Sequence, residues 1–267
     1  MYPTLIRLGP LTVSTYGVFV AAAYMVGILW LKSQIRFMPR MTEEKFWVMI
    51  YGLFFGAIAG GKLLFVAVEW RAFLNGELGF FRDFRYGFVF FGGLLGSMGM
   101  GLLIRRWIDV SYLATADYLG VALPMGHWLG RLGCLAAGCC YGRPTSLPWA
   151  VRLGGSAASS TPQALWGVPL HPTQLYEAAW NVAICWFLLR RILPRVQKGF
   201  LPPGSVLVGY VFLYSIARFV NEFFRGDPRG GDWLQLSVSQ WIAVAGVLAS
   251  AAVMARSRRK LPSVLGL

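Results

Sequence analysis

Three polar stripes interrupt otherwise apolar stretches, and their residue types suit the handling of an anion. Arg218, Asn221, Glu222 and Arg225 recur at i, i+3, i+4 and i+7 within YVFLYSIARFVNEFFRGD, which places them on one face of a helix. Gln174, Glu177 and Asn181 repeat the pattern, as do His127, Arg131 and Cys134. Ionisable groups in an apolar setting are costly unless they meet a partner or a cavity. One account is that Glu177 and Glu222 neutralise Arg131 and Arg218 and staple the helices together. A staple needs only one pair, however, and on these stripes the arginines outnumber the acids. A guanidinium fork binds phosphate oxygens two at a time, so the excess points to an oxygen-rich anion, and in a bilayer that anion is a phospholipid head group.

Two histidines could move a proton at such a site. His127 lies four residues before Arg131 and so shares its helix face, and an imidazole titrates near neutrality. His171 precedes Pro172, a residue suited to a first helical turn, which puts the imidazole just outside a helix start. His127 is the expected base for an incoming nucleophile, with His171 as its rival and the lipid phosphate itself as a third possibility.

The elements that must carry these stripes are membrane helices. Of the 267 residues, 57% are hydrophobic and only 13% charged, about half the charge of a soluble domain, and the mean hydropathy is +0.57. Seven stretches qualify as bilayer-spanning helices by length: residues 12–31, 46–68, 86–104, 113–135, 172–193, 204–224 and 237–255. The predicted fold is therefore an all-α polytopic membrane protein, one domain over residues 1–267.

The formal charge of +14 belongs to the loops. With the N-terminus outside, Lys32, Arg36, Arg40, Lys45, Arg105, Arg106, Arg190, Arg191, Arg195, Lys198, Arg256, Arg258, Arg259 and Lys260 fall on the cytoplasmic side. The opposite loops dilute Arg71, Arg82, Arg85, Arg143, Arg152 and Arg229 with Glu69, Glu77, Asp83, Asp227 and Asp232. The positive-inside rule then gives N-out, C-in. The segment 136–171, between the fourth and fifth spans, becomes a small external cap. Gly56 with Gly60 and Gly92 with Gly96 have the spacing that lets helix backbones approach closely.

No nucleic-acid partner is expected, because no basic stripe with interleaved aromatics stands outside the spans. A metal centre is not expected either: the C-x4-C-C run of Cys134, Cys139 and Cys140 lacks the C-x2-C spacing of zinc sites, and the chain has two histidines. A channel or transporter would call for broken helices in paired halves, which the sequence does not suggest.

Several motifs resemble one family, the prolipoprotein diacylglyceryl transferases. HPTQLYEA at 171–178 and GRLGCLAAGCCYGRPT at 130–145 look like its two long signatures. RFVNEFFRGD at 218–227, FFGGLLGS ending at Ser97, GGK ending at Lys62 and Tyr16-Gly17 follow in the family's order. Phe91 stands where familiar members have a histidine, and Cys134 and Cys139 where they have an asparagine and an acid. The resemblance implies a multi-pass enzyme of the bacterial inner membrane. It would move a diacylglyceryl group from phosphatidylglycerol to the lipobox cysteine of a preprolipoprotein signal peptide, among membrane lipids and without a cofactor; a related head-group transferase with another acceptor is the alternative. It implies that Arg131 and Arg225 hold the phosphate, with Tyr16, Gly142, Gln174, Tyr176, Glu177, Arg218, Asn221 and Glu222 lining the site.

Overall fold

The computed structural model describes residues 3–9, 11–79, 87–155, 159–227 and 234–259. The chain is mostly helical, at 69%, and forms two compact units, residues 32–115 and residues 1–31 with 116–267. Arg82, Asp83, Arg85, Arg229, Asp232 and Lys260, and the first residue of the predicted third span, lie outside the described residues.

In the smaller unit, α2 (Glu43–Val68) starts at Thr42, whose side chain accepts the Lys45 N–H. It continues into the short α3 (Trp70–Leu74) and packs along α4 (Phe90–Ile108). The close approach depends on four glycines. A Cβ on Gly60 would collide with the Gly92 carbonyl, and one on Gly56 would sit 2.6 Å from the Gly96 carbonyl oxygen. The seam expected from their spacing is present, and Ser97 Oγ adds a hydrogen bond of 3.0 Å to the Leu53 carbonyl across it.

The larger unit opens with a hairpin, β1 (Thr4–Leu8) and β2 (Leu11–Ser14), which turns at Gly9 with φ +58°. Ser14 Oγ then accepts the Gly17 N–H and starts α1 (Thr15–Ser33). Glycines also let α5 (Tyr112–Ala137) lie against α1, where Gly126 faces the Ala23 carbonyl and Gly133 faces Tyr16 and Phe19. The next long helix, α6 (Thr173–Phe187), runs through a π-helical turn at Leu188–Ile192 into α7 (Leu193–Gln197). Pro194, which has no N–H to give the ladder, follows that turn. After α8 (Ser205–Glu222) comes α9 (Val238–Arg259), and α8 packs on both α6 and α9.

Each predicted span coincides with a helix, with shifts of a few residues at most ends. By length and composition, Thr15–Ser33, Glu43–Val68 and Val238–Ser257 are apolar enough to cross a membrane. The others have Arg105 and Arg106 at the end of α4 and the polar stripes on α5, α6 and α8. The all-α expectation needs one correction: short strands are present too. Between α5 and α6, β3 (Val151–Arg152) pairs with β4 (Pro169–Leu170) over a small core of Tyr141, Leu153 and Leu170. Irregular backbone that buries a core must find partners for its own N–H and C=O groups, and a two-stranded ladder supplies them. At Gly154, φ is +96° and a side chain would strike the Trp166 ring, so the turn there requires glycine.

Helix α8 is anchored by a carboxylate from another helix. Asp117 on α5 is fully buried, and its two oxygens accept the N–H groups of Gly204 and Val206, each at 2.7 Å. Backbone donors at a helix start have no intrahelical partner, and the positive end of the helix dipole favours the carboxylate. Asp117→Asn should turn an amide N–H₂ towards one of those donors and destabilise the protein by about 1–3 kcal/mol. Denaturant titration in detergent micelles, read by circular dichroism, will check this.

Candidate functional site

Glu177 organises the polar stripes. It is 1% exposed on α6, and its carboxylate meets groups from α5, α8 and the segment beyond α8. Oε1 lies 2.7 Å from Arg131 Nη2 and accepts the Tyr214 hydroxyl at 2.8 Å. Oε2 accepts Asn221 Nδ2 at 3.2 Å, with Arg225 Nη1 at 3.7 Å. A second pair, Arg218 Nη2 to Glu222 Oε2 at 2.7 Å, lies further round α8, and Ser239 and Ser237 hold its two ends. Asn181 is fully buried one turn beyond Glu177 and donates to the Glu177 carbonyl at 2.8 Å.

The stapling account of the acids therefore describes the pairing found here. The predicted stripe on α8 is also shorter than expected: the helix ends at Glu222, and Arg225 lies just beyond it. There Asp227 grips Arg225 from the side, with Nε to Oδ1 at 2.9 Å and Nη2 to Oδ2 at 2.8 Å. Asp227 brings the acids in the cluster to three, equal to Arg131, Arg218 and Arg225. The surplus positive charge at this place comes instead from the exposed Arg143, whose Nε donates to the Arg225 carbonyl at 3.0 Å. Arg131 Nε and Arg218 Nη1 are buried with no hydrogen-bond partner among the described residues.

The cap is fixed to the end of α8 through backbone. Gly142 forms a bridge with Arg225, Arg143 N–H donates to the Phe224 carbonyl at 2.8 Å, and Gly226 N–H to the Tyr141 carbonyl at 3.0 Å. Any side chain at Gly142 would run into His171 and Phe224. The start of α6 holds the cap from the other side. Gln174 Nε2 donates to the Cys139 carbonyl at 2.8 Å and Thr173 Oγ1 to the Cys140 carbonyl at 2.7 Å.

His127 and His171 are not equivalent. His127 Nε2 lies 3.3 Å from Arg131 Nη2 and Nδ1 lies 3.2 Å from the Tyr210 hydroxyl. A guanidinium can only donate, so Nε2 accepts and the imidazole proton sits on Nδ1. The lone pair expected to take a proton is thus already engaged by Arg131. His171 touches Tyr176 Oη through Nδ1 at 3.2 Å and rests against the Phe224 ring. Tyr176 in turn accepts the Trp149 indole N–H at 2.8 Å.

Tyr16, 44% exposed at the start of α1, lies against Gly133, one residue before Cys134. Cys140 Sγ is 3.7 Å from Arg131 Nη1. Hydrogen bonds from the Cys134 and Cys139 thiols, and then the Arg225 and Arg131 guanidiniums, hold the Cys140 thiol below its usual range. Hydrogen bonds with the Cys134 and Cys140 thiols, and then burial, push Cys139 up.

Arg225, Arg143, Glu222, Asp227, Ser237 and Gln240 help to line a cleft of about 440 Å³ between the cap and the facing ends of α8 and α9. One turn along both helices, Ile216, Phe219 and Val220 on α8 and Ala243, Val244 and Val247 on α9 line an apolar groove of about 240 Å³. Tyr210, Tyr214, Arg143 and Asp227 were not singled out in the sequence. The tyrosines precede Arg218 at i−8 and i−4, so extending that stripe backwards by two turns would have found them. Nothing in the spacing marks Arg143 or Asp227.

An apolar helical bundle with guanidiniums, carboxylates and imidazoles gathered under a folded cap has the build of a membrane enzyme acting on an anionic amphiphile. The family model for prolipoprotein diacylglyceryl transferase matches residues 3–256, and the chain belongs to that family. It is 34% identical over 229 residues to phosphatidylglycerol–prolipoprotein diacylglyceryl transferase 2 of Clostridium perfringens, covering 83% of this chain and 84% of that one. The Clostridium tetani transferase is 31% identical over 249 residues, 93% and 94% of the two chains. That of Idiomarina loihiensis is 31% identical over 265 residues, 96% and 92%.

If Glu177 is the shared counter-charge, Glu177→Gln leaves Arg131 buried without one and should cost about 3–5 kcal/mol of stability. Tyr214→Phe removes one neutral donor and should cost about 1 kcal/mol. A double-mutant cycle of Glu177→Gln with Arg131→Met, followed by denaturation in micelles, should return a coupling well above that of the Tyr214 pair.

Proposed function

We propose that this chain transfers the diacylglyceryl group of phosphatidylglycerol to the lipobox cysteine thiol of preprolipoproteins, releasing glycerol phosphate. The observation that carries this reading is the arrangement of a polar cleft edged by Arg225 and Arg143 one helical turn from an apolar groove on the same two helices. Such a pair of surfaces suits a molecule with an anionic head and acyl tails, and the relatives' names supply the donor and the acceptor.

The reaction joins the thiol sulfur to the glyceryl carbon and breaks the bond from that carbon to a phosphate oxygen. The electron pair goes to the oxygen, so negative charge grows on the departing phosphate. Guanidiniums fixed beforehand stabilise it without reorganising at the moment of reaction. Asp227 fixes the plane of Arg225, and Glu177 with His127 fixes that of Arg131. The open Nε of Arg131 and Nη1 of Arg218 are donors suited to phosphate oxygens. Gly142, Gln174, Asn221 and Glu222 act by holding the cap and the helix ends around the lipid, while Tyr16 and Tyr176 flank it.

His171 is the residue best suited to receive the thiol proton. Among the described residues its ring is hydrogen-bonded only through Nδ1, whereas both nitrogens of His127 are engaged. His127 is then a positioning residue for Arg131. The chain would work as one domain of seven spans in the bacterial inner membrane, N-out and C-in, with the cap outside and signal peptides reaching it among the membrane lipids. The basic ends of α4 and α9 support that orientation.

Arg131→Lys and Arg225→Lys keep the charge but lose the fork, and each should lower kcat about 10²–10³-fold. Full activity in both variants would remove the phosphate clamp. In pH–rate profiles, His171→Gln should abolish the acidic limb, while His127→Gln should keep that limb at a reduced rate. An alkaline phosphatase fused after Leu267 should be inactive in cells, because the tail is assigned to the cytoplasm; an active fusion would overturn the topology.

A further inference from the structure

Three of the four cysteines meet although their spacing in the sequence does not suggest it. The Sγ atoms of Cys134, Cys139 and Cys140 lie within 4.8 Å of one another, and none of the three is in a disulfide. Cys134 comes from the last turn of α5. The other two come from the turn after it, where Gly138 has φ +71° and Cys140 has φ +60°. A left-handed conformation is unfavourable for a cysteine, and here it is held by Gln174 and Thr173, which bind the two carbonyls of the turn. The backbone is thus fixed so that adjacent thiols face the same point as Cys134.

We infer that Cys134, Cys139 and Cys140 form a three-thiolate site for a soft d¹⁰ cation of the zinc class, with a fourth position open to the acceptor thiol of the lipoprotein substrate. The role of the fourth position rests on the transferase reading; the metal site does not. Zinc–thiolate bonds of about 2.3 Å place sulfurs roughly 3.8 Å apart in a tetrahedron, so contraction by about 1 Å completes the set. Thiolates select soft ions over magnesium or calcium. A divalent ion with three thiolates carries one net negative charge, compatible with Arg131 3.7 Å from Cys140. Three protein ligands and one open position are the pattern of a reactive zinc site rather than a structural one. Cys139 and Cys140 are only half-buried, so an ion and a fourth ligand can reach them.

An incoming thiol that coordinates there gives up its proton, for which His171 is the acceptor in the reading above, and is held as a thiolate beside the phosphate clamp. Its sulfur then forms the bond to the glyceryl carbon as the carbon–oxygen bond breaks, the electron pair leaving with the phosphate. The metal keeps its oxidation state throughout, and the thioether product is a weak ligand that dissociates.

The test uses the full chain in detergent, reduced and titrated with Co²⁺ in the absence of lipid, so that transferase activity plays no part. About one ion per chain should bind with sulfur-to-cobalt charge-transfer absorption. Cys134→Ser, Cys139→Ser and Cys140→Ser should each weaken binding at least about tenfold, and Cys185→Ser, a residue distant in the sequence whose thiol faces the Val121 carbonyl, should leave it unchanged. A lipobox peptide should strengthen the absorption, and the same peptide with serine in place of its cysteine should not. Absence of the charge-transfer band, or a disulfide between any two of the three in protein purified without reductant, overturns the metal site. A band indifferent to the cysteine peptide overturns the acceptor role.

Discussion

A carboxylate buried to 1% exposure is unfavourable unless its charge is met, and Glu177 is met from three directions at once. Arg131 from α5, with Tyr214 and Asn221 from α8, converge on its two oxygens, so the separation and rotation of α5, α6 and α8 are tied to the reach of these side chains. The constraint works in both directions. In a medium with little water, Arg131 has few alternative partners, so moving one of these helices would expose two charges to apolar surroundings. The ion pair therefore specifies geometry more than it adds net stability. The same pairing leaves Arg131 Nε without a hydrogen-bond partner among the described residues, so the guanidinium that staples the helices keeps one donor for the proposed phosphate contact.

Backbone contacts transmit that geometry to the cap. The bridge between Gly142 and Arg225 and the bond from Gly226 to Tyr141 join cap and helix end without flexible side chains. Arg225 is thereby located by its main chain and oriented by Asp227, while Arg143 on the cap donates to the Arg225 carbonyl. Positions fixed by short main-chain bonds vary less than positions at the end of a long side chain. That is the precision the proposed leaving-group clamp requires.

Much of this was legible in the sequence because membrane helices and their polar stripes both have strong periodic signatures. Segment locations followed from apolar length, and Glu177, Arg131 and Asn221 followed from helical spacing. The Gly56, Gly60, Gly92 and Gly96 seam was visible for the same reason. Features that depend on irregular chain were not: Arg225 read as helical because the periodicity continued three residues past Glu222, where the helix ends. Asp227 gave no sign that it would close on Arg225, and Arg143 gave none that it would supply the surplus charge. The strands of the cap are two residues each, too short for any alternating pattern. Asp117 carries no helical-stripe signal at all, since its partners are backbone groups nearly ninety residues away.

The cysteines show why spacing rules fail in a turn held by its neighbours. A C-x2-C pair converges because its own local turn brings two thiols together. Cys134, Cys139 and Cys140 converge because α6 supplies Thr173 and Gln174 to pin a left-handed turn. The chemistry of that turn is thus set from a distance by the same helix that presents Glu177. One turn of α6, from Thr173 to Glu177, fixes both the thiol cluster and Arg131, and this places a sulfur-rich point and a guanidinium-rich point within one side-chain length of each other. In the proposed reaction, which joins a thiol to a carbon bearing a phosphate, that juxtaposition sets the inferred thiolate site beside the guanidinium clamp, and a single rigid helical turn is the shortest means of holding the two together.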